Sequence, residues 1–444
     1  MARLRAAPWL VSIVAAAAGC ATAHAPDRVN VAAAITERAG VDAKGLPAPG
    51  RTWAAPPGAS LTDGLAVDEA VAMALWNNPD FQAALASLGL ARADLIDAGL
   101  LRNPVFSLLF PWGPKQLEFT VTWPIEALWQ RPKRIQDARL NAEATAAQLV
   151  ASGLRMVADV RLAFFDVLLA ERRLALATEQ AKVTAQAATL AEGQLRAGDI
   201  SEFEARLART DALGSETARL TRVTARELAM ERLRTLLGLD GDAPAFTLVE
   251  PPPATAGSCS TGPELLKSAL AARPDVRAAE LQIEAAGARA GLERARIIAF
   301  SASLDANAKG TDGFEMGPGA VVELPLLSQN QGRRARAMAE VEQAARRYVA
   351  VRATVATEIR AAMVALTEAL GTAGLLGGDV AASLATARQQ AERLYTAGEI
   401  SLLDLLTTRQ RLMDIEVNRV DAAFGVNRAI VKVEQAIGHT CAPR

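Results

Sequence analysis

The chain has 444 residues, 51% hydrophobic but only 4% aromatic, and its 48 basic and 49 acidic side chains leave a formal charge of −1. Such a length allows two or three globular domains or one elongated repeat, and a content dominated by alanine, leucine and valine suits closely packed helices. The balanced charge argues against a nucleic-acid partner, and beyond the N-terminus no apolar run approaches the roughly 20 residues of a membrane-spanning helix.

At the N-terminus, Arg3 and Arg5 precede the apolar run "AAPWLVSIVAAAA", which predicts an export signal over residues 1–19. The run ends in "AAGC" (17–20), similar to a bacterial lipobox, which implies that Cys20 is acylated and becomes the mature N-terminus. Ala21, where inner-membrane lipoproteins typically carry aspartate, points to the outer membrane. The alternative is ordinary cleavage after "AHA" (23–25), which Pro26 would hinder. Residues 20–60, rich in alanine, proline and glycine, predict an extended arm leading from the anchor.

From residue 61 the chain is written twice. "NNPDFQAA" (77–84) returns as "ARPDVRAA" (272–279), "TWPIEALWQRPKRIQDA" (122–138) as "ELPLLSQNQGRRARAMA" (323–339), and "RAGDIS" (196–201) as "TAGEIS" (396–401), each about 200 residues on and in the same order. This is a tandem duplication, with repeat 1 over 61–239, a linker over 240–261, repeat 2 over 262–438 and a tail over 439–444. Each copy reads helix, strand, strand, long helix, turn, helix. Val150, Leu154, Val157, Val160, Phe164 and Leu168 step by three and four, as do Val351, Val355, Ile359, Met363, Leu366 and Leu370. Between Arg134 and Leu195 only Gly153 and, near the end, Gly193 interrupt the first pattern, giving a helix of roughly 90 Å that needs neighbours along its length.

The strands alternate. Leu117, Phe119, Val121 and Trp123 interleave with Glu118, Thr120 and Thr122; Phe300, Ala302, Leu304, Ala306 and Ala308 interleave with Ser301, Ser303, Asp305, Asn307 and Lys309. "NPVFSLLF" (103–110) and "GAVVELPLL" (319–327) complete four strands. Four strands cannot close a barrel, and open edges cannot face lipid. Either these are soluble hairpins lying on helices, or an exported chain closes a barrel by association, with two copies giving eight strands and three giving twelve.

In each hexapeptide the glycine, Gly198 or Gly398, permits the left-handed close of a helix, and the serine, Ser201 or Ser401, caps the next helix. Each is therefore the tip of a helical hairpin. Arg196 and Glu399 complete a candidate docking set with these four residues. "GTAGLLGG" (371–378) has no counterpart in copy one and predicts a bend. Enzyme signatures are lacking: the two histidines, His24 and His439, lie near the ends, and no carboxylates pair into a site. No cofactor or metal is predicted.

Taken together, "LAVDEAVAMALWNNPDFQAA", "LLKSALAARPDVRAA", the basic residues after each strand pair and the two glycine tips resemble the TolC-type outer-membrane efflux channels over about residues 61–438. The resemblance implies a mainly α fold with a small β part, in which duplicated hairpins form a periplasmic α-barrel and four strands per chain join a shared transmembrane β-barrel. It implies a homotrimer in the outer-membrane lipid, docked to a periplasmic adaptor and an inner-membrane pump of the RND type. "LLRNPVFSLLF" and "PIEALWQRPKRIQDA" look most like channels of heavy-metal cation efflux. The competing readings are a drug-efflux or type I secretion duct and a periplasmic scaffold or adaptor lipoprotein. By the family's pattern, Asp404 falls on an acidic aperture ring, with Thr407 at a further acidic position, and Tyr395 falls on a tyrosine that latches the closed aperture. Glu204 occupies the spacing of Asp404 in copy one; otherwise Asp404 is a solvated helix carboxylate. With Cys20 acylated, Cys259 and Cys441 remain, and in the family their regions both wrap the middle of the tunnel, which suggests a bridge.

Overall fold

The computed structural model describes residues 25–43, 46, 53–110, 112, 117–239, 243–252, 263–297, 299–308 and 313–441. In chain order the elements are α1 (Arg28–Ala39), α2 (Val67–Asn77), α3 (Pro79–Gly99), β1 (Val105–Leu109), β2 (Leu117–Pro124), α4 (Glu126–Ala197) and α5 (Glu202–Leu237). Copy two follows with α6 (Pro263–Ala272), α7 (Pro274–Ala295), β3 (Ala299–Ala308), β4 (Phe314–Glu323), α8 (Gln331–Leu376), α9 (Val380–Thr396) and α10 (Leu402–Ile437). The order is the predicted one, except that each copy opens on two helices and the long helix of copy two is split.

Two compact units result. One is built on residues 86–148 and 275–351 and holds the sheet. Its strands run antiparallel in the order β1-β2-β3-β4, so β1 and β4 are open edges. The β2–β3 register sets Phe119 opposite Ala306 and Val121 opposite Leu304 on one face, and Thr120 opposite Asp305 and Glu118 opposite Asn307 on the other. The apolar positions of both strands therefore share one face, as the period-two pattern requires. Where the strands meet helices, basic side chains satisfy carbonyls at helix ends: Arg131 donates to Gly99 O at 2.7 Å and Arg134 to Leu100 O at 2.9 Å.

The other unit, residues 28–85, 149–274 and 352–444, holds the largest buried side chains, among them Ile35, Leu65, Met73, Phe164, Leu233 and Ile437. The repeated motifs at 77–84 and 272–279 do equivalent work here. Asn78 donates from Nδ2 to Leu236 O at 3.1 Å, and Arg273 donates to Ala436 O at 2.9 Å. Each thus satisfies an orphan carbonyl at the end of a copy's last long helix. Those ends close on Gly238 and Gly438, both left-handed, with φ of 67° and 81°.

Three expectations change. The extended arm contains a helix, α1, whose Val31 and Ile35 are buried; Arg161 holds its end by donating to Ala39 O at 3.1 Å. Packing, rather than local propensity, makes that segment helical. The fourth strand spans 314–323, not 319–327, because pairing with β3 draws in Gly317 and Pro318 opposite Asp305 and Leu304. Among the described residues one helix, α8, is by length and composition apolar enough to cross a membrane, because its alanine-rich stretch holds few charges.

Candidate functional site

The two tips share one construction. At Gly198 φ is 81° and at Gly398 it is 72°, and the amides of Asp199 and Glu399 donate back to Gln194 O and Leu394 O, both at 2.9 Å. This is the backbone reversal that only a left-handed residue makes without strain. Ser201 and Ser401 then cap α5 and α10 through reciprocal capping boxes. The Ser201 amide and hydroxyl both donate to Glu204 Oε2 at 2.8 Å. The Ser401 amide and hydroxyl donate to Asp404 Oδ2 at 3.2 and 2.7 Å.

Those bonds have an electrostatic consequence. The Ser401 hydroxyl, then its amide, hold the Asp404 carboxyl below its ordinary range. The Ser201 amide, then its hydroxyl, do the same for Glu204. Both carboxylates stay ionised well into acid and stand in solvent. Asp404 is thus the reciprocal partner of the Ser401 cap, while Thr407 spends its hydroxyl on Leu403 O at 2.8 Å.

Beneath the tips, Ala187 and Ala191 of α4, Ala205 and Ala208 of α5 and Leu402 and Leu406 of α10 form one small apolar cluster flanked by Tyr395. Alanines let the helices approach closely, which explains the sparse aromatics. The Tyr395 hydroxyl donates to Gln194 Oε1 at 3.1 Å. Arg409 of α10 reaches Glu392 of α9 at 2.9 Å, and Arg388 of α9 reaches Glu179 of α4 at 3.6 Å. Arg196, Gly198, Ser201, Gly398, Glu399 and Ser401 all lie exposed at the tips.

Sequence reasoning missed Phe203 and Leu403, the second helical residue beyond each cap, which are 70% and 46% exposed. In copy one the available signal was Phe203 set between Glu202 and Glu204; in copy two Leu403 stands among the buried Leu402, Leu405 and Leu406, which mask it. Cys20 and Cys259 lie outside the described residues; Cys441 is disulfide-bonded, and its amide donates to Glu434 Oε1 at 3.0 Å. Among the described residues no group of three or more histidines, cysteines or carboxylates is placed to hold a metal ion.

The sheet supplies the other functional surface. On its apolar face Phe106, Met316 and Val322 are exposed, alongside Trp123 and Leu304. On its polar face Thr120 donates to Asp305 Oδ1 at 2.8 Å and Asn307 to Asp305 Oδ2 at 3.0 Å. A soluble sheet lying on helices would bury its apolar face, and this one leaves it open.

A family model described as outer membrane efflux protein matches residues 114–239 and 265–439. The chain belongs to the outer membrane efflux protein family. As an outer membrane efflux protein it is a channel and not an enzyme. A curated relative, the cobalt-zinc-cadmium resistance protein CzcC of Cupriavidus metallidurans, is 24% identical over 382 residues, covering 84% of this chain and 90% of that protein. The solved outer-membrane channel OprN is similar with a TM-score of 0.72 and 20% identity, over 92% of this chain and 98% of OprN. CusC is similar with a TM-score of 0.69 and 20% identity, over 84% of this chain and 91% of CusC. The fold of this efflux protein is therefore that of the TolC-type channels, with a periplasmic helical part and strands in the outer membrane.

Proposed function

We propose that three copies of the chain form the outer-membrane exit duct of a tripartite efflux assembly that passes metal cations out of the periplasm. The observation that carries the assembly is the sheet: four strands, two open edges, one exposed apolar face and one polar face. Pairing β4 of one copy with β1 of the next removes every edge, and three copies give the twelve-stranded arrangement of TolC-type channels.

Support for cations comes from charge and from the relative. Glu118 and Glu315 lie in register on either side of Asn307, and Asp305 stands two residues along on the same polar face, so a trimer would line its lumen with carboxylates. CzcC is named for cobalt, zinc and cadmium resistance. At the tips, Asp404 supplies the aperture ring with Glu204 as its copy-one equivalent, and Tyr395 supplies the latch. The exposed tip residues, now including Phe203 and Leu403, dock a periplasmic adaptor that joins the duct to an RND-type inner-membrane pump. An acyl chain on Cys20 anchors the N-terminus, and a Cys259–Cys441 bridge ties the linker to the tail.

The test is twofold. The purified chain in detergent should give a native mass of three copies, and a strain lacking its gene should lose tolerance to zinc, cobalt and cadmium and regain it on complementation. A monomer overturns the duct. Restored tolerance to hydrophobic drugs without any change for the metals overturns the substrate.

A further inference from the structure

Arginines crowd the place where β1 begins and β2 hands over to α4. Arg131 and Arg134 both lie over the end of α3, through their bonds to Gly99 O and Leu100 O. Arg102 and Arg296 stand within electrostatic reach of Arg134. Burial first, and then Arg102, Arg296 and Arg131, hold the Arg134 guanidinium below its ordinary range, with Asp97 opposing. Arg296 is neutralised by Glu293 at 2.6 Å, whereas Arg134 Nε is buried without a hydrogen bond. Lys133 adds a further cation, its Nζ on Gly291 O at 3.3 Å. Beside them Trp123 and Trp129 are 39% and 46% exposed, and the Trp123 indole donates to Arg102 O at 3.0 Å.

We propose that this cluster binds the headgroup phosphate of an anionic phospholipid at the periplasmic face of the outer membrane. Tryptophan rings favour the membrane–water boundary, and clustered cations next to them attract anionic lipid. Forked guanidiniums match phosphate oxygens, and the exposed apolar face of the sheet continues from the same strand ends. The proposal rests on the outer-membrane reading; a failure of that reading would show as loss of the trimer, whereas a failure here leaves the trimer intact.

The purified full-length trimer would be exchanged into phosphatidylglycerol or phosphatidylcholine mixed with detergent, and retained lipid measured by native mass spectrometry. Phosphatidylglycerol should be retained preferentially. Arg102→Gln with Lys133→Gln, two exposed positions, should weaken that retention by roughly 25-fold, about fivefold per charge. Equal retention of the two lipids, or unchanged retention in the variant, overturns the proposal. Displacement of phosphatidylglycerol by millimolar inorganic phosphate alone would make this a free-anion site and overturn the lipid assignment.

Copy two breaks where copy one does not. At the matching positions α4 runs unbroken through Ala177, Thr178 and Glu179, whereas α8 stops at Leu376 and α9 starts at Val380. Gly378 has a φ of 60°; side chains added at Gly371, Gly374 or Gly378 would meet nothing, and one at Gly377 would come within 2.8 Å of Ala373 O, on the preceding turn, so the break itself, not packing against another helix, calls for glycine. Ala391 is the buried residue of α9. A cavity of about 290 Å³ separates its first turns, at Leu384 and Ala385, from Leu176 and Val183 of α4 and Leu412 of α10.

We infer that Gly377–Gly378 is a hinge on which α9 swings, and that the cavity is the space into which it closes. In the intact wild-type chain, amides of 377–383 should exchange with solvent about tenfold faster than those of 177–183. Equal exchange would mark the glycines as a packing surface and overturn the hinge. Placing the copy-one residues there, Gly377→Ala, Gly378→Thr and Asp379→Glu, should slow exchange to the α4 rate; a variant as fast as wild type likewise overturns it.

Discussion

The Tyr395 hydroxyl donates to Gln194 Oε1 across 3.1 Å, joining the last turn of α9 to the last turn of α4. It is a direct side-chain bond between the two tips, and it lies beside the alanine cluster that packs them together. One neutral, partly exposed hydrogen bond contributes about 1 kcal/mol.

Tyr395→Phe should therefore raise the open probability of reconstituted channels by roughly fivefold, the equivalent of that bond. The melting temperature should barely move. Single-channel recording checks the first and calorimetry the second; unchanged opening would reduce Tyr395 to a packing residue.

For Asp404 the substitution must separate charge from cap. Asp404→Asn keeps an acceptor for the Ser401 amide but removes the negative charge. It should weaken block by multivalent cations and raise conductance in planar bilayers. Identical block in the variant would leave Asp404 as a capping residue alone.

Acid should loosen both tips. The folded values of Glu204 and Asp404 are depressed by their serine bonds, so the stability they contribute is present above the unfolded values of about 4.3 and 3.9. It is lost as pH falls through the depressed folded values. The protection of amides 201–206 and 401–406, taken relative to their intrinsic exchange rates, should fall below about pH 4, and Ser201→Ala with Ser401→Ala should abolish that dependence.

Arg173 grips Asp421 with two bonds, Nε to Oδ1 at 2.7 Å and an η-nitrogen to Oδ2 at 2.6 Å. Arg173→Lys keeps the charge and loses the fork. With both side chains about a third exposed, the loss should be roughly 1 kcal/mol, read as a lower denaturant midpoint at unchanged slope.

Two covalent features are also open to test. Cys20→Ala should abolish fatty-acid labelling and slow processing of the precursor. Non-reducing peptide mapping should recover Cys259 joined to Cys441; alkylation of both without prior reduction would exclude that bridge.

Local chemistry was legible in the sequence. Gly198, Ser201, Gly398 and Ser401 sit in the conformations their types favour, and the alternation of β2 and β3 became their two faces. What depended on distant partners was not. Residues 28–39 are helical because Val31 and Ile35 find a core to enter. Gly317 and Pro318 lie ahead of the strand read from 319 but pair as strand because β3 supplies the register. The second role of Asp404 was hidden in plain view: serine followed three residues later by a carboxylate is itself a capping signal.

The unpaired edges of β1 and β4 reach beyond the finished channel. A newly exported single copy carries two sticky strand edges and an oily face through an aqueous compartment. It can neither enter lipid alone nor remain long in water. In the proposed trimer, barrel closure and membrane entry therefore become a single step, because no copy can face lipid until its edges are paired.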